Sequence, residues 1–267
     1  MVVVMVMRQS IPRRSRHKVT RSIISAVTCA ALLMMVAAAC GGETSAAKND
    51  STTAQSDDVG RMMNDGLGEK AASSLSEYID QSMRTLESSQ QMKEFDPSGA
   101  ATQRILKVLE RAKERGGVSV SDYESAWADY KQCMADRGYK EIVLIKEPNG
   151  IYKEAPHRAG TAEQDARYGQ DMLACGATTY SSIAGVYKMQ IGNPNLYKNQ
   201  YEAALDCLHR NEAAPKDYSM DDLRFDLYEA TSKDELKLDI YTPEVSQCLV
   251  ANNITVFSDN SVTEQLW

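Results

Sequence analysis

The chain contains 267 residues, of which 43% are hydrophobic and 25% are charged, and its formal net charge is −7. This composition is typical of a folded soluble domain and excludes a fibrous or wholly disordered chain. The charge is uneven, because residues 1–39 contain six Lys and Arg residues and no acid, which leaves 24 basic against 37 acidic residues in the remainder. Such an acidic body argues against nucleic-acid binding, which needs a clustered basic face, and against adhesion to anionic lipid by charge.

The first predicted element is an export signal at residues 1–39. Residues 22–39 are uncharged, follow a basic stretch that ends at Arg21, and precede Cys40-Gly41-Gly42. Three alanines stand before Cys40, so the segment resembles the lipobox of bacterial lipoproteins, although that family usually has Leu where this chain has Ala37. The resemblance implies cleavage before Cys40, diacylglycerol on its sulfur, and an acyl chain such as palmitate on the new amino terminus. The protein would then be anchored at the outer face of the cytoplasmic membrane.

Two other interpretations of this segment stay open. Ala37-x-Ala39 also fits an ordinary signal-peptidase site, which would release the mature protein without lipid. Eighteen apolar residues are also at the short end of what spans a bilayer, so the segment could remain as an uncleaved anchor. The basic leader is long, and either Met1 or Met7 could be the start.

Residues 40–68 predict a flexible tether. They are rich in Gly, Ser, Thr, Ala, Asn and Asp and have almost no large apolar side chain before Met62. Such a segment buries too little apolar surface to offset the entropy of ordering it. It would hold the folded part away from the membrane or across the wall.

Residues 69–267 predict one globular domain of the α+β class, mainly helical. Apolar residues recur at three and four between Leu75 and Leu86, which indicates a helix stopped by Asp96-Pro97-Ser98-Gly99. A second helix ends at Gly116-Gly117, and Ser121 with Glu124 forms a capping box for a third. The further elements predicted in chain order are a hairpin at 142–152, helices near 163–175, 180–189, 197–208, 220–228 and 243–250, and a last strand at 254–257.

The cysteine spacing predicts an internal duplication. Cys133 and Cys175 are 42 residues apart, and Cys207 and Cys248 are 41 apart. Aromatic residues stand at matching distances before the paired cysteines, so we interpret residues 121–190 and 195–257 as diverged repeats. The alternative is that aromatic and cysteine positions at helical spacing simply mark buried helix faces.

An exported chain with an even number of cysteines in its mature body favours disulfides. Three pairings are open for Cys133, Cys175, Cys207 and Cys248, and the duplication favours Cys133 with Cys175 and Cys207 with Cys248. Zinc is the alternative. It is disfavoured because there is no Cys-x-x-Cys and only His209 stands near a cysteine.

No catalytic or cofactor-binding motif is recognisable. Nucleophile-elbow, zinc-protease, phosphate-loop and EF-hand patterns do not occur, so we assign no catalytic residue, cofactor or metal ligand. His157 and His209 are interpreted as solvated bystanders rather than general bases.

Tyrosine is unusually frequent, with 13 Tyr against three Phe. Because tyrosine has an apolar body and a polar tip, it suits glycan-binding clefts and protein interfaces. The periodic aromatics are more simply core residues, which leaves Tyr139, Tyr152 and Tyr187 as candidates for a ligand groove.

The element Cys133-Met134-x-x-x-Gly138-Tyr139, with its upstream Tyr and Trp, resembles a loose group of uncharacterised actinobacterial lipoproteins. The resemblance covers roughly residues 100–250 and implies a cell-envelope lipoprotein with disulfides, without bringing catalytic residues. The second copy departs from the element, because Glu212 stands where the glycine would be.

Two classes of function follow. The first is a non-enzymatic binding or accessory protein of the cell envelope, whose partner is a cell-wall component or a membrane-protein complex. The second is an exported hydrolase or a transporter-associated solute-binding lipoprotein. The second class is weaker because solute-binding lipoproteins show alternating strands and helices, which this chain lacks.

Overall fold

The computed structural model describes residues 59–258 and 261–267, and the predicted signal and Cys40 lie outside them. The described part is mainly helical and contains one two-stranded antiparallel hairpin. Residues 59–64 form a helical segment. The elements that follow are α1 (Leu75–Ser88), α2 (Gln90–Phe95), α3 (Ala100–Arg115), α4 (Val120–Asp136), β1 (Leu144–Lys146), β2 (Tyr152–Glu154), α5 (Ala162–Thr178), α6 (Ser181–Gly192), α7 (Gln200–Arg210), α8 (Met220–Arg224) with a π-helical turn (Phe225–Glu229), a 3-10 turn (Lys233–Glu235) and α9 (Pro243–Ala251).

Helix starts and ends follow local sequence signals, with two differences from the prediction. The first predicted helix breaks early, at Ser89, whose hydroxyl accepts from the Met92 backbone N–H and so caps the separate helix α2. Helix α4 is capped by Ser119 instead of Ser121. Ser119 has extended backbone angles and accepts from the Asp122 N–H, whereas Ser121 already lies in the first helical turn.

Buried side chains form two hydrophobic cores. The first core region comprises residues 75–192 and is rich in aromatic rings, with Tyr123, Trp127 and Tyr130 of α4 at its centre. Residues 261–267 pack against it through Leu266 and Trp267. The second core region comprises Met63 together with residues 201–256 and is mostly aliphatic. Helix α9 joins the two, because Val250 and Ala251 belong to the first core while Cys248 and Leu249 belong to the second.

The folded domain begins earlier than the predicted boundary at residue 69. Met63 is fully buried in the second core, and its carbonyl accepts from the Asn199 amide at 2.8 Å. The Gly68 N–H donates to Glu202 on α7 at 2.8 Å. Residues 59–68 are therefore part of the domain instead of the predicted 40–68 tether, because Met63 supplies apolar burial that the polar composition of the segment obscured.

Each core region contains one cysteine pair. Cys133 of α4 is bonded to Cys175 of α5 with the Cα atoms 5.7 Å apart, and Cys207 of α7 is bonded to Cys248 of α9 with the Cα atoms 5.5 Å apart. These separations are normal for disulfides. The pairing is the one that the duplication predicts.

A common helix ending follows three of these cysteines. Five residues after Cys133, Cys207 and Cys248, the backbone adopts positive φ at Gly138 (93°), Glu212 (54°) and Asn253 (62°). In all three the N–H of the next residue donates to the carbonyl five positions back, as in a Schellman ending. Glu212 therefore keeps the backbone shape that the predicted element needs, although it lacks the glycine. The third copy leads into Ile254, and residues 254–257 form no strand beyond a single bridge residue at Thr255.

Candidate functional site

The predicted tyrosine groove does not form as one group. Tyr152 and Tyr187 lie on either side of the Tyr123 ring, with centroids 5.7 and 4.1 Å away. Tyr139 packs elsewhere, against Tyr168 at 5.4 Å, and its hydroxyl donates to Asp171 at 2.9 Å. Tyr187 is buried, whereas Tyr139 and Tyr152 are partly buried at the edge of the first core. The three side chains therefore do not line one common surface, and a ligand role for any of them stays a prediction.

The two histidines of the folded domain differ in their exposure to solvent. His209 is exposed at the end of α7, as predicted for a solvated residue. His157 instead lies against the Tyr168 ring, with centroids 4.5 Å apart, and its Nε2 is 3.9 Å from Asp165 Oδ1. Burial lowers the pKa of His157, with the Asp165 charge opposing it. Its prediction as a solvated bystander is therefore wrong, because residues 261–267 cover the loop that carries it.

Cys207 and Cys248 are bonded to each other, so Cys207 offers no thiolate to a metal beside His209. Within residues 59–258 and 261–267, no three His, Cys, Asp or Glu side chains are grouped as metal ligands would be. None of the helices described there is long and apolar enough to cross a membrane.

Strand β2 places two adjacent charged residues on opposite faces, as strand alternation requires. Lys153 points towards α9, where its Nζ lies 2.7 Å from Glu147 Oε1 and 3.0 Å from Ser246 Oγ. Ser246 in turn donates to Glu147 Oε1 at 3.0 Å. Glu147 and Ser246 are 6% and 3% exposed, so these three side chains form a buried polar cluster between the hairpin and α9.

A serine beside a lysine is the arrangement of one class of hydrolase nucleophile. Here the serine hydroxyl is engaged by Glu147, the lysine is held in an ion pair, and Ser246 is inaccessible to a substrate. The cluster therefore joins hairpin and helix by satisfying three buried polar groups.

Glu154, on the other face of β2, is partly buried and forms a carboxyl pair with the buried Glu264. The Tyr130 hydroxyl donates to Glu154 Oε2 at 2.6 Å, and the Val143 N–H donates to Glu264 Oε2 at 2.7 Å. Glu264 Oε1 has no hydrogen-bond partner in the described part of the chain. Burial, with Glu264 adding to it, raises the pKa of Glu154 to about 8, and burial likewise raises that of Glu264. The pair therefore retains a proton at neutral pH.

A cleft of about 290 Å³ opens between α3 and α4, with the junction of α5 and α6 along a third side. Arg104, Arg111, Asp122 and Asp129 provide its charged lining, and Ser125, Thr178 and Thr179 provide hydroxyls. Arg111 Nη2 is 2.9 Å from Asp122 Oδ1. Burial acts to raise the pKa of Asp122, but hydrogen bonds from Ser119, Arg115 and Arg111 lower that pKa to about 2.

Sequence reasoning missed all three polar groups: the Lys153 cluster, the Glu154 pair and the cleft. A Tyr-Lys-Glu strand reads as half exposed, and its three residues are partly exposed in the structure. What the sequence does not show is that Lys153 meets Glu147 and that Glu154 meets Glu264. The seven-residue spacing of Arg104 to Arg111 and of Asp122 to Asp129 was the available signal for the cleft. This spacing indicates a site only when α3 and α4 are known to line the same opening.

No protein-family model, curated protein or solved structure matches the chain.

Proposed function

We propose that the protein is an extracytoplasmic lipoprotein, anchored through lipid on Cys40, whose folded domain acts in the cell envelope by binding and not by catalysis. The observation that carries the proposal is the presence of two cysteine pairs at disulfide distance behind a sequence that reads as an export signal. Disulfides persist outside the cytoplasm and are rare within it. Residues 40–58 would then be the tether between the lipid and the domain.

The distribution of reactive groups supports binding over hydrolysis. Ser246 and Glu264 are buried, Glu154 is partly buried against Glu264, and none of the three lines the cleft. A catalytic nucleophile or acid must reach its substrate within hydrogen-bond distance. The cleft between α3 and α4 is open to a solute, and it offers charges and hydroxyls without an activated nucleophile.

The common helix endings support the interpretation of residues 121–190 and 195–257 as diverged copies. Each copy carries a cysteine followed by a fully buried residue, Met134 or Leu208, and then a positive φ at the fifth position. In each, that first cysteine pairs with one about 40 residues later.

The anchor is tested by metabolic labelling with radioactive palmitate in a bacterium that processes lipoproteins, followed by membrane fractionation. The full chain is expected to be labelled and to sediment with membranes. Cys40→Ser should lose the label and be either released from membranes or left unprocessed, whereas Cys29→Ser, which changes a cysteine inside the apolar segment, should keep both the label and the membrane association.

Other outcomes would overturn the lipid anchor in distinct ways. A processed but unlabelled protein in the medium would show that Ala37-x-Ala39 is an ordinary cleavage site. An unprocessed protein that remains in membranes after Cys40→Ser, without label in the parent chain, would identify residues 22–39 as an uncleaved anchor.

A further inference from the structure

The charged residues of the cleft form two pairs, one in contact and one separated. Nearest the loop 116–119 that joins α3 to α4, Arg111 and Asp122 are in contact. Two helical turns farther from that loop, Arg104 on α3 and Asp129 on α4 line the same opening. Neither of these side chains has an ion-pair or hydrogen-bond partner within the residues that the structure describes. One end of the cleft is thus closed by an ion pair, and the other holds a separated cation and anion.

The surroundings of this open pair combine apolar and hydroxyl groups. Ile105, Ala126 and Ile183 supply apolar contact, and Ser125 carries a hydroxyl without a partner in the described chain. The Thr178 and Thr179 hydroxyls donate to helix carbonyls at 2.8 and 2.6 Å, which leaves their oxygen lone pairs able to accept. Seven of the eleven residues that line the cleft are therefore charged or carry a hydroxyl, which suits a polar or charged ligand better than an apolar one.

The walls of the cleft are held in place. The Gln190 side chain of α6 accepts from the Val118 N–H at 2.8 Å and donates to the Val118 carbonyl at 2.9 Å, which fixes the loop between α3 and α4. The disulfide from Cys133 to Cys175 joins α4 to α5 one turn before Thr178 and Thr179. A ligand would therefore meet a preformed opening and would not have to order it.

We propose that the cleft between α3 and α4 binds a small zwitterion, with the ligand carboxylate on Arg104 and the ligand ammonium on Asp129. The arginine presents a planar pair of donors that matches a carboxylate, and the aspartate accepts from an ammonium. The hydroxyls of Ser125 and Thr179, which line the same cleft, are available for further hydrogen bonds to the ligand. This proposal rests on the proposed binding function and names its ligand class.

The test is isothermal titration of the full chain, purified in detergent, with L-alanyl-L-alanine. Two blocked dipeptides serve as matched probes: N-acetyl-L-alanyl-L-alanine lacks the ammonium, and L-alanyl-L-alaninamide lacks the carboxylate. Saturable binding of the zwitterion is expected, with at least tenfold weaker binding of each blocked form.

Variants assign the two charges. Arg104→Gln and Asp129→Asn should each weaken binding of L-alanyl-L-alanine at least tenfold. Arg104→Gln should no longer distinguish the dipeptide from the form without a carboxylate, and Asp129→Asn should no longer distinguish it from the form without an ammonium. Lys107→Gln removes an exposed charge from α3 outside the cleft and should leave binding within twofold of the parent. All four proteins must show the same circular dichroism spectrum and unfolding midpoint, because the changed residues are on the surface.

A charge-reversed double variant, Arg104→Asp with Asp129→Arg, sharpens the assignment. A zwitterion can bind in the opposite orientation, so the double variant should bind L-alanyl-L-alanine within tenfold of the parent affinity. Arg104→Asp alone and Asp129→Arg alone should each abolish that binding. The proposal is overturned if L-alanyl-L-alanine does not bind, if the blocked dipeptides bind equally well, or if Arg104→Gln and Asp129→Asn are without effect. Since these titrations use purified protein, their failure leaves the lipid anchor at Cys40 untouched, and a failure of that anchor leaves them interpretable.

Discussion

Each core region contains a carboxyl group that accepts from a tyrosine hydroxyl, but the remaining partners differ. In the second region Asp226 is fully buried and accepts from Tyr218 at 2.7 Å and from the N–H groups of Lys237 and Leu238 at 2.8 and 2.9 Å. In the first region Glu154 accepts from Tyr130 and meets a second carboxyl, Glu264.

The comparison shows that buried carboxyl groups differ in the partners that replace their lost water. Three hydrogen-bond donors surround Asp226, which satisfies the acceptors of its side chain. At Glu154 one donor faces a competing carboxyl, so a proton is retained. The groups that face this pair from the neighbouring elements are Tyr130 and Lys131 of α4 and Tyr180 before α6. His157 meets Glu264 through a backbone bridge, and its ring packs against Tyr168.

The largest expected effect comes from removing the disulfides one at a time. Each closes a loop of about 40 residues, so Cys133→Ala with Cys175→Ala and Cys207→Ala with Cys248→Ala should each lower the free energy of unfolding by about 4 kcal/mol. The second pair should cost more than the first. Cys207 and Cys248 are both buried, whereas Cys133 is half-buried, so removing the second pair also leaves a cavity. Urea unfolding measures the free energy of unfolding of both double variants. Equal losses of stability in the two would contradict the cavity argument.

The pH dependence of stability separates the two carboxyl sites. The pKa of Glu154 is raised in the folded protein, so between about pH 4.5 and 8 the folded state holds a proton that the unfolded state has released. Stability from this group is complete below pH 4.5 and is lost as the pH rises through 8, by roughly 2–4 kcal/mol. Urea unfolding at pH 5 and pH 8.5 should show this fall in the parent and a much smaller one in Glu154→Gln. Glu110→Gln, at an exposed position on α3, should behave like the parent.

Asp226→Asn should be destabilising at neutral pH, in contrast to Glu154→Gln. An asparagine amide turns one acceptor into a donor, which leaves at least one of the three donors around Asp226 unsatisfied at a cost of about 1–3 kcal/mol. Glu154→Gln keeps an acceptor for Tyr130 and gives Glu264 a donor, so it should be neutral or stabilising at pH 7 or above. The control is Asp221→Asn, whose side chain is 85% exposed. A loss at Glu154→Gln equal to that at Asp226→Asn would contradict the distinction between the sites.

The smallest expected effects concern the two helix endings. Gly138 adopts φ of 93°, and a Cβ added there would lie in open space. Gly138→Ala therefore adds backbone strain without a steric clash, at a cost of about 1 kcal/mol. Glu212 already bears such strain at φ of 54°, so Glu212→Gly should stabilise by up to about 1 kcal/mol. Thermal unfolding of the two variants should shift in opposite directions, and shifts of the same sign would break the correspondence between the endings.

Local patterns predicted much of the fold. The stripe from Leu75 to Leu86 and the start signal Thr242-Pro243 each gave a helix that the structure contains. The spacing of 42 and 41 residues favoured Cys133 with Cys175 and Cys207 with Cys248, and these are the pairs in the structure. Ser119 was missed as a cap because the residue that caps is decided by backbone conformation, which Ser119 and Ser121 do not share.

The polar sites could not be predicted, because they depend on contacts between distant segments. Glu154 meets Glu264 across 110 positions, and Lys153 meets Ser246 across 93. His157 looked solvated because it follows Pro156 in a polar loop, yet residues 261–267 cover it. Arg104 and Asp129 are ordinary surface charges in the sequence and become a candidate site only through the opening between α3 and α4.

The central claim, that this is an exported and lipid-anchored protein with an oxidised frame, is tested most directly by mass spectrometry of the protein isolated from cells and digested without reduction. We expect one peptide that begins at Cys40 with diacylglycerol and an acyl chain, and two linked peptide pairs, Cys133 with Cys175 and Cys207 with Cys248. Four free thiols together with an intact leader before Cys40 would contradict the account.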